Sequence, residues 1–392
     1  MMGEALHRPL AGIKVLDLSR ILAGPWASQL LADLGADVVK VERIEGGDDT
    51  RTWGPPFASG ESAYYLSTNR GKHSLAIDIT QPAGQQIVRD LAARSDVLIE
   101  NFKVGGLRKY GLDYESLHRL QPRLIYCSIT GFGQTGPLAH RAGYDLMIQA
   151  LGGLMSITGE SDTKPGGGPQ KVGVAVVDLF TGLYCVVGIL AAIEQRHATG
   201  AGQHIDAALF DVQLAMLANQ AVNYLVSGVP PGRLGTAHPN IVPYQRFPTR
   251  DGFIVIAVGN DGQFGKLCEV LGRSALPEDE RFATNAGRVS HREELIAILE
   301  AALRERDSDE WIELLSCVNV PCSPVRALDK VFADPQVAAR GMVLEQLHPE
   351  VGPIRLVAQP LKMSASRTQS DRVPPTLGQH TREILRELGY NE

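Results

Sequence analysis

One acidic residue interrupts the most apolar stretch of the chain: between Val174 and Ile193 the only formal charge is Asp178. A carboxylate is costly to bury unless hydrogen bonds or a chemical task compensate. The local pattern reads Asp178 as the N-cap of a helix running to about His197, because Asp is among the best caps. The dipole of that helix would keep the carboxylate ionised, so the same residue is also available as a nucleophile. Positive charge is clustered elsewhere. Arg70, Lys72 and His73 form one group, Lys103, Arg108 and Lys109 a second, and Arg43 follows Glu42. Each lies by a strand end where an α/β sheet takes ligands, so the clusters fit either a polyphosphate such as CoA or plain solvated surface. Asn101-Phe102 followed by Gly105-Gly106 suits close backbone approach to a ligand.

Other chemistries lack their signatures. The turn Ser19 to Pro25 has one Gly where a dinucleotide fingerprint needs G-x-G-x-x-G, so a bound nicotinamide cofactor is not expected. There is no Walker-A loop, H-E-x-x-H or G-x-S-x-G, and the ten His form no metal-ligand spacing. No metal site is assigned.

The elements that must position these residues alternate. Strands are predicted over Ile13–Leu18, Asp37–Glu42, Ser74–Ile79, Asp96–Glu100 and Arg123–Ile129, and helices over Pro25–Leu34 and Pro82–Arg94. That alternation argues for a Rossmann-like parallel sheet covered on both faces, with ligands beyond the carboxyl ends of the strands. Further helices are predicted near Tyr144–Leu151, Asp178–His197 and Phe210–Ser227, after which Pro230-Pro231-Gly232 breaks the chain. Ser290 with Glu293 and Asp307 with Glu310 read as capping boxes. The expected organisation is a large domain over 1–227, a smaller α+β domain over 228–325, and a return to the large domain over 326–392 that ends in a helix at Thr381–Leu388.

Composition narrows the classes. The 392 residues carry a net charge of −6, so no global basic field points to nucleic acid or an anionic membrane. Five scattered Cys without C-x-x-C read as reduced thiols of a cytoplasmic protein. Residues Met1 to Leu10 show no export or import signal. Val174 to Ile193 matches a membrane span in length, but its Asp, with Gly182, Gly188 and the preceding Gly173, favours a buried core helix.

Taken together, the motifs resemble the class III CoA-transferases. The resemblance runs nearly end to end, on Pro9 to Asp17, Leu34 to Arg43, Asn69 to Lys72, Glu100 to Phe102, Ile129 to Pro137, Ala142 to Asp145, Asp178 with Thr181-Gly182, and Leu377 to Thr381. It implies an α/β fold with an inserted small domain and two subunits interlocked as a homodimer. It makes Asp178 the catalytic carboxylate and puts CoA on Arg43, Asn101, Phe102 and Lys109, with Tyr144 near the acyl group; Lys72, from the basic cluster, is a further CoA-binding candidate. Val104 stands where the family usually has Pro, and Gly235 to Pro239 replaces a glycine-rich loop, which argues against formyl and oxalyl substrates.

The expected reaction moves CoA from an acyl-CoA, succinyl-CoA foremost, to a short dicarboxylate of the glutarate, hydroxymethylglutarate or itaconate type. CoA enters as a thioester substrate, and no tightly bound cofactor is expected. The second acceptor carboxylate needs a cation, with Arg20, Arg51, Arg141 and His238 as candidates. Oxyanion donors are expected from backbone N–H groups near Gly235 or in Gly131 to Gly136. Related racemases on this fold pair the Asp with a His where this chain has Tyr144, whose phenol is a poor base near neutral pH. A racemase-type isomerase and a non-catalytic CoA-binding protein are the competing readings.

Overall fold

The computed structural model describes residues 7–390. The first six residues of the N-terminal stretch discussed above lie outside it. The chain forms two compact units, one of Met1–Leu154, Val172–Leu225 and Pro335–Glu392, the other of Met155–Lys171 and Val226–Asp334.

The first unit is built on six parallel strands: β1 (Lys14–Asp17), β2 (Asp37–Glu42), β3 (Lys72–Ala76), β4 (Val97–Glu100), β5 (Ile125–Thr130) and β6 (His204–Ala208). Their spatial order is β3-β2-β1-β4-β5-β6. The chain therefore reverses direction of travel between β1 and β4, and loops leaving the carboxyl ends of those strands part to leave a crevice. Both faces of the sheet are covered, which is why the strands read as nearly continuous apolar runs. On one face Val15, Val38, Ile99 and Cys127 pack beneath α1 (Ala23–Asp33) and the long helix that carries Asp178. On the other, Leu16, Leu75 and Leu98 pack beneath α2 (Pro82–Ala92) and the last helix, Thr381–Leu388.

The final segment belongs to this unit because it returns to β3. Ser74 N donates to His380 Nδ1 at 3.1 Å, and His380 N donates back to Ser74 O at 3.0 Å. Arg70, predicted as part of a basic surface group, is buried there instead, pairing with Asp33 at 2.6 Å and donating to Val357 O at 2.8 Å.

Three more helices shape the site: α3 (Asp145–Leu151), α4 (Val176–Thr199) and α5 (Leu209–Met216). By length and a mean hydropathy of 2.2, α4 passes for a membrane span. Its inner side, Val177, Cys185 and Ile189, nonetheless belongs to the core under the sheet. A Cβ on Gly182 would stand 2.7 Å from Ala23 O, so this glycine lets α1 and α4 pack backbone to backbone.

Several predicted elements differ. The helix expected over Phe210–Ser227 is two, because Ala218 takes a positive φ of 44° and a second helix restarts at Ala218–Ser227. Strand β6 was not foreseen. Asp307 forms its capping box with Glu310, but Ser290 ends the helix Asn285–Ser290 and caps nothing, since the next helix starts at Arg292 behind His291.

The second unit packs a three-stranded antiparallel sheet (Tyr244–Pro248, Phe253–Ala257, Cys322–Pro324) against helices around Phe247, Phe264, Leu299 and Trp311. Met155–Lys171, expected with the first unit, belongs here. Gly235 N donates to Gly159 O at 3.0 Å and Arg233 to Glu160 O at 3.3 Å.

Candidate active site

Asp178 is the third residue of α4, inside the helix and not its cap. The first turn is capped from another element. Asp145, the first residue of α3, accepts from Val177 N at 2.8 Å and from Asp178 N at 3.4 Å. One turn along α3, buried Gln149 donates to Asp145 at 2.6 Å and accepts from Val172 N at 2.9 Å. Two side chains spaced i, i+4 thus hold both the approach to α4 and its first amides. The consequence is electrostatic. Burial, and after it the like charge of Asp145, pushes the Asp178 carboxyl up to about 7. The expectation of a carboxylate kept ionised by the helix dipole is corrected: in this setting it holds its proton close to neutrality.

Asp178 opens onto a cleft of about 420 Å³ that also has Arg20, Asn101, Phe102, Lys109 and Tyr144 in its wall. Arg141 lines it too, as does His140, which the sequence did not single out. Gly131 and Gly143 make this wall possible. A Cβ on Gly143 would sit 2.4 Å from Gly131 Cα, so the backbone carrying Tyr144 crosses directly over the end of β5. The first turn of α1 completes the cleft with Leu22 and Ala23, and no side chain caps it.

A second cleft of about 600 Å³ lies beyond the ends of β1, β2 and β3, lined by Leu18, Arg43, Ile77 and Thr80 among others. Arg20, Phe102 and Tyr110 line both clefts. Arg20 stands with its guanidinium 5.5 Å from the Phe102 ring and bonds Asp49 at 3.4 Å. Arg43 bonds the same Asp49 at 2.6 Å while its side chain stays about half exposed. Lys109 lies over the Tyr110 ring at 4.6 Å.

Two predicted site residues are spent on structural contacts, and a third belongs to the second unit. Lys72 is fully buried and its ammonium is saturated by Asn69 Oδ1 at 2.8 Å, Pro25 O at 3.0 Å and Asp17 at 3.2 Å, so no donor is left for a phosphate. Arg51 is buried likewise. It bonds Glu42 at 2.8 Å, Glu61 at 3.0 Å, Tyr65 Oη at 2.6 Å and Pro375 O at 3.1 Å, with its plane 3.7 Å from the Tyr65 ring. It has no capacity left for a substrate carboxylate. His238 lies in the second unit, where its Nδ1 accepts from Asn240 N at 3.1 Å and its ring tilts against Tyr244.

Two groups near the site were assigned no role from the sequence, although Glu100 opens the Glu100 to Phe102 motif. Glu100 ends β4 and accepts from Phe102 N at 2.8 Å, and burial pushes its carboxyl up to about 7. Tyr64 stacks edge-on against Trp53 at 5.3 Å, and burial, then the charge of Asp178, pushes its phenol up to about 12. That influence ties Tyr64 to the carboxylate across 114 positions of sequence, a distance no local motif spans.

A parallel sheet with its crevice at the switch point is the frame of an α/β enzyme that takes a nucleotide-bearing ligand. The family is CoA-transferase family III: its pattern matches residues 10–381, and the chain belongs to it and is an enzyme that transfers CoA. The chain is 53% identical to the succinate–glutarate CoA-transferase of Agrobacterium fabrum, over 97% of this chain and 96% of that protein. It is 47% identical to the succinyl-CoA:glutarate CoA-transferase of Homo sapiens, over 97% of this chain and 86% of that one. The crystal structure of a CAIB/BAIF family protein from Brucella suis superposes with a TM-score of 0.85 at 52% identity, covering 97% of this chain and all of that one.

Proposed function

We propose that the protein moves CoA from succinyl-CoA to glutarate or a dicarboxylate of similar length, with Asp178 as the covalent nucleophile. The observation that carries this reading is the shared wall of the two clefts. An elongated thioester with its nucleotide against Arg43 and Ile77 reaches past Arg20 and Phe102 to put its carbonyl at Asp178. The names of the relatives supply the acyl groups. Of the residues first considered for CoA, Arg43, Phe102, Lys109 and Tyr144 remain; Asn101 lines the cleft with its amide bound to the Arg20 backbone, and Lys72 does not remain. Arg20 and Arg141 remain for the acceptor's second carboxylate, and Arg51 does not.

The steps balance without external reagents. A carboxylate oxygen of Asp178 attacks the succinyl carbonyl, the C–S bond breaks, and CoA thiolate leaves behind an aspartyl-succinyl anhydride. The thiolate attacks the aspartyl carbonyl, succinate leaves, and the enzyme holds CoA as an aspartyl thioester. Glutarate then displaces the thiolate to form a second anhydride. Attack of the thiolate on the glutaryl carbonyl gives glutaryl-CoA and frees Asp178. No net proton or electron is exchanged, and one hard displacement becomes several easier ones. Each attack builds an oxyanion, and the first turn of α1, which no side chain caps, supplies the Ala23 and Gly24 N–H groups as donor candidates, Pro25 having none.

The active form we propose is a cytoplasmic homodimer with interlocked subunits. Phe180, Leu183, Tyr184 and Val187 make an exposed apolar stripe on α4 at helical spacing, the kind of surface a second subunit covers. All five Cys are free thiols, in keeping with a reducing compartment.

Incubation with succinyl-CoA followed by hydroxylamine should inactivate the enzyme through Asp178, and mass spectrometry should find the adduct on its peptide. Asp178→Asn should lower kcat by about 10³-fold or more. An unmodified peptide together with a nearly active Asn variant would end this reading, and deuterium entering the acyl α-carbon would replace it with the isomerase.

A further inference from the structure

The turn between β1 and α1 contains a residue in a conformation its side chain disfavours. Ile21 has a φ of 73°, in the left-handed region. For a β-branched residue this is a true outlier, and such strain persists only where the surroundings over-determine it. The surroundings here grip the two successive peptide groups that join Ser19, Arg20 and Ile21. Lys40 Nζ donates to Ser19 O at 2.9 Å. Asn101 accepts from Arg20 N at 2.9 Å and donates to Arg20 O at 2.7 Å, which uses both ends of its amide. Asp48 accepts from Ile21 N at 3.2 Å with each carboxylate oxygen. Asp48 is itself fixed by Lys40 at 2.8 Å and by Thr50 N at 3.0 Å, and both Lys40 and Asp48 are fully buried.

The next residues, Leu22 and Ala23, are those that α1 presents to the cleft holding Asp178. The grip reaches across the switch point, since Asn101 follows β4 while Ser19 to Ile21 follow β1. No sequence signal calls for it, and a glycine at position 21 would hold the same turn without strain.

We propose that Asp48 and Asn101 are positioning residues for CoA transfer: by holding Ile21 in its strained turn they set the first turn of α1 against Asp178. Asn101 thereby acts through the Arg20 backbone, to which both ends of its amide are bonded. Lys40 supports the arrangement through Ser19 and Asp48. A small displacement of the α1 turn costs rate more than binding: Arg20, Lys40 and Asp48 also line the cleft around Arg43 and Ile77, but its Ile77 to Thr80 wall follows β3 and takes no part in the grip.

The inference rests on the transfer reading above, and its test separates the two. Asp48→Asn and Asn101→Ala are each made in the unaltered chain and in Ile21→Gly, and transfer from succinyl-CoA to glutarate is measured with all of them as a double-mutant cycle. In the unaltered background each substitution should lower kcat by about 10²-fold with KM for succinyl-CoA changed by less than about threefold. In the Ile21→Gly background the same substitutions should cost less than about tenfold, because glycine holds the turn unaided. Equal losses in both backgrounds, a loss confined to KM, or no loss would each overturn the inference while transfer by the unaltered protein stands. If Asp48→Asn does not fold, the Asn101→Ala arm decides alone. Absence of transfer by the unaltered protein would remove the reading as well as the inference.

Discussion

Asp48 and Asp178 are carboxylates of the same unit, both largely removed from solvent, and their surroundings drive them in opposite directions. Asp48 has Lys40 at 2.8 Å and the Thr50 amide and hydroxyl at 3.0 and 2.8 Å, and these outweigh burial and hold it at about 2. Asp178 is faced by a like charge, Asp145, which adds to burial and drives it to about 7. Chemical type is the same and the role is not. A carboxylate given a buried cation becomes scaffold, whereas one denied it keeps the basicity a nucleophile needs. The same division sorts the cations. Lys72 and Arg51 are consumed by acids behind the sheet edge, while Arg20, Arg43 and Lys109 face the clefts.

The largest effect expected from this contrast is on the scaffold side. Burial pulls the Lys72 ammonium down to about 7 while Asp17 beside it is held below the usual carboxylate range, so the pair is charged at pH 6. There Lys72→Met leaves Asp17 buried without that cation, and breaking such a pair costs about 3–5 kcal/mol. Urea unfolding should show a shift of that size. A change below about 1 kcal/mol, the ordinary worth of an exposed pair such as Arg43 with Asp49, would mean that Lys72 is not the structural ion its contacts indicate.

On the reactive side the sign reverses. Because the folded chain holds a proton on Asp178 that the unfolded chain releases near pH 4, this group favours the native state most fully below that pH. The contribution is lost as pH rises through about 7. Asn mimics the protonated form at every pH. Asp178→Asn, inactive as it should be, is therefore expected to melt a few degrees above the unaltered protein at pH 8, with the gap shrinking toward pH 5. Equal melting at both pH values would show that Asp178 is not driven upward.

Much of this was legible from residues whose job follows from their place in a strand or turn. Asp178 stood out as a lone charge in an apolar run, and Arg20, Asn101 and Phe102 followed strands whose ends an α/β sheet uses. The misplaced residues share one cause: their partners are remote in sequence. Lys72 meets Asp17 from 55 positions away, and Arg51 meets Pro375 O from 324. Asp178 was read as a cap because local pattern cannot show that Asp145, 33 positions earlier, already bonds its amide. Strand β6 is short and begins with half-buried residues, so it lacks the apolar run of its neighbours. Ile21 is the extreme case, since a β-branched residue is the last type that a pattern would assign to a left-handed turn.

The smallest effect is the most direct test of why the two carboxylates differ. Asp145→Asn keeps an oxygen able to accept from Val177 N and so preserves the cap, but it removes the negative charge beside Asp178. If that charge contributes after burial, its loss lowers the Asp178 value from about 7. Asp178 reacts as the anion, so the rate of adduct formation at limiting succinyl-CoA should rise with pH and level off above about 7 in the unaltered protein. In Asp145→Asn the same rise should come about half a unit to one unit earlier, the ordinary reach of one nearby charge. The variant would then keep a larger share of its plateau rate at pH 6 than the unaltered protein does. A profile that falls in overall height without moving along the pH axis would assign Asp145 to holding the helix alone, and would leave the cation and hydrogen bonds given to Asp48 as all that separates it from Asp178.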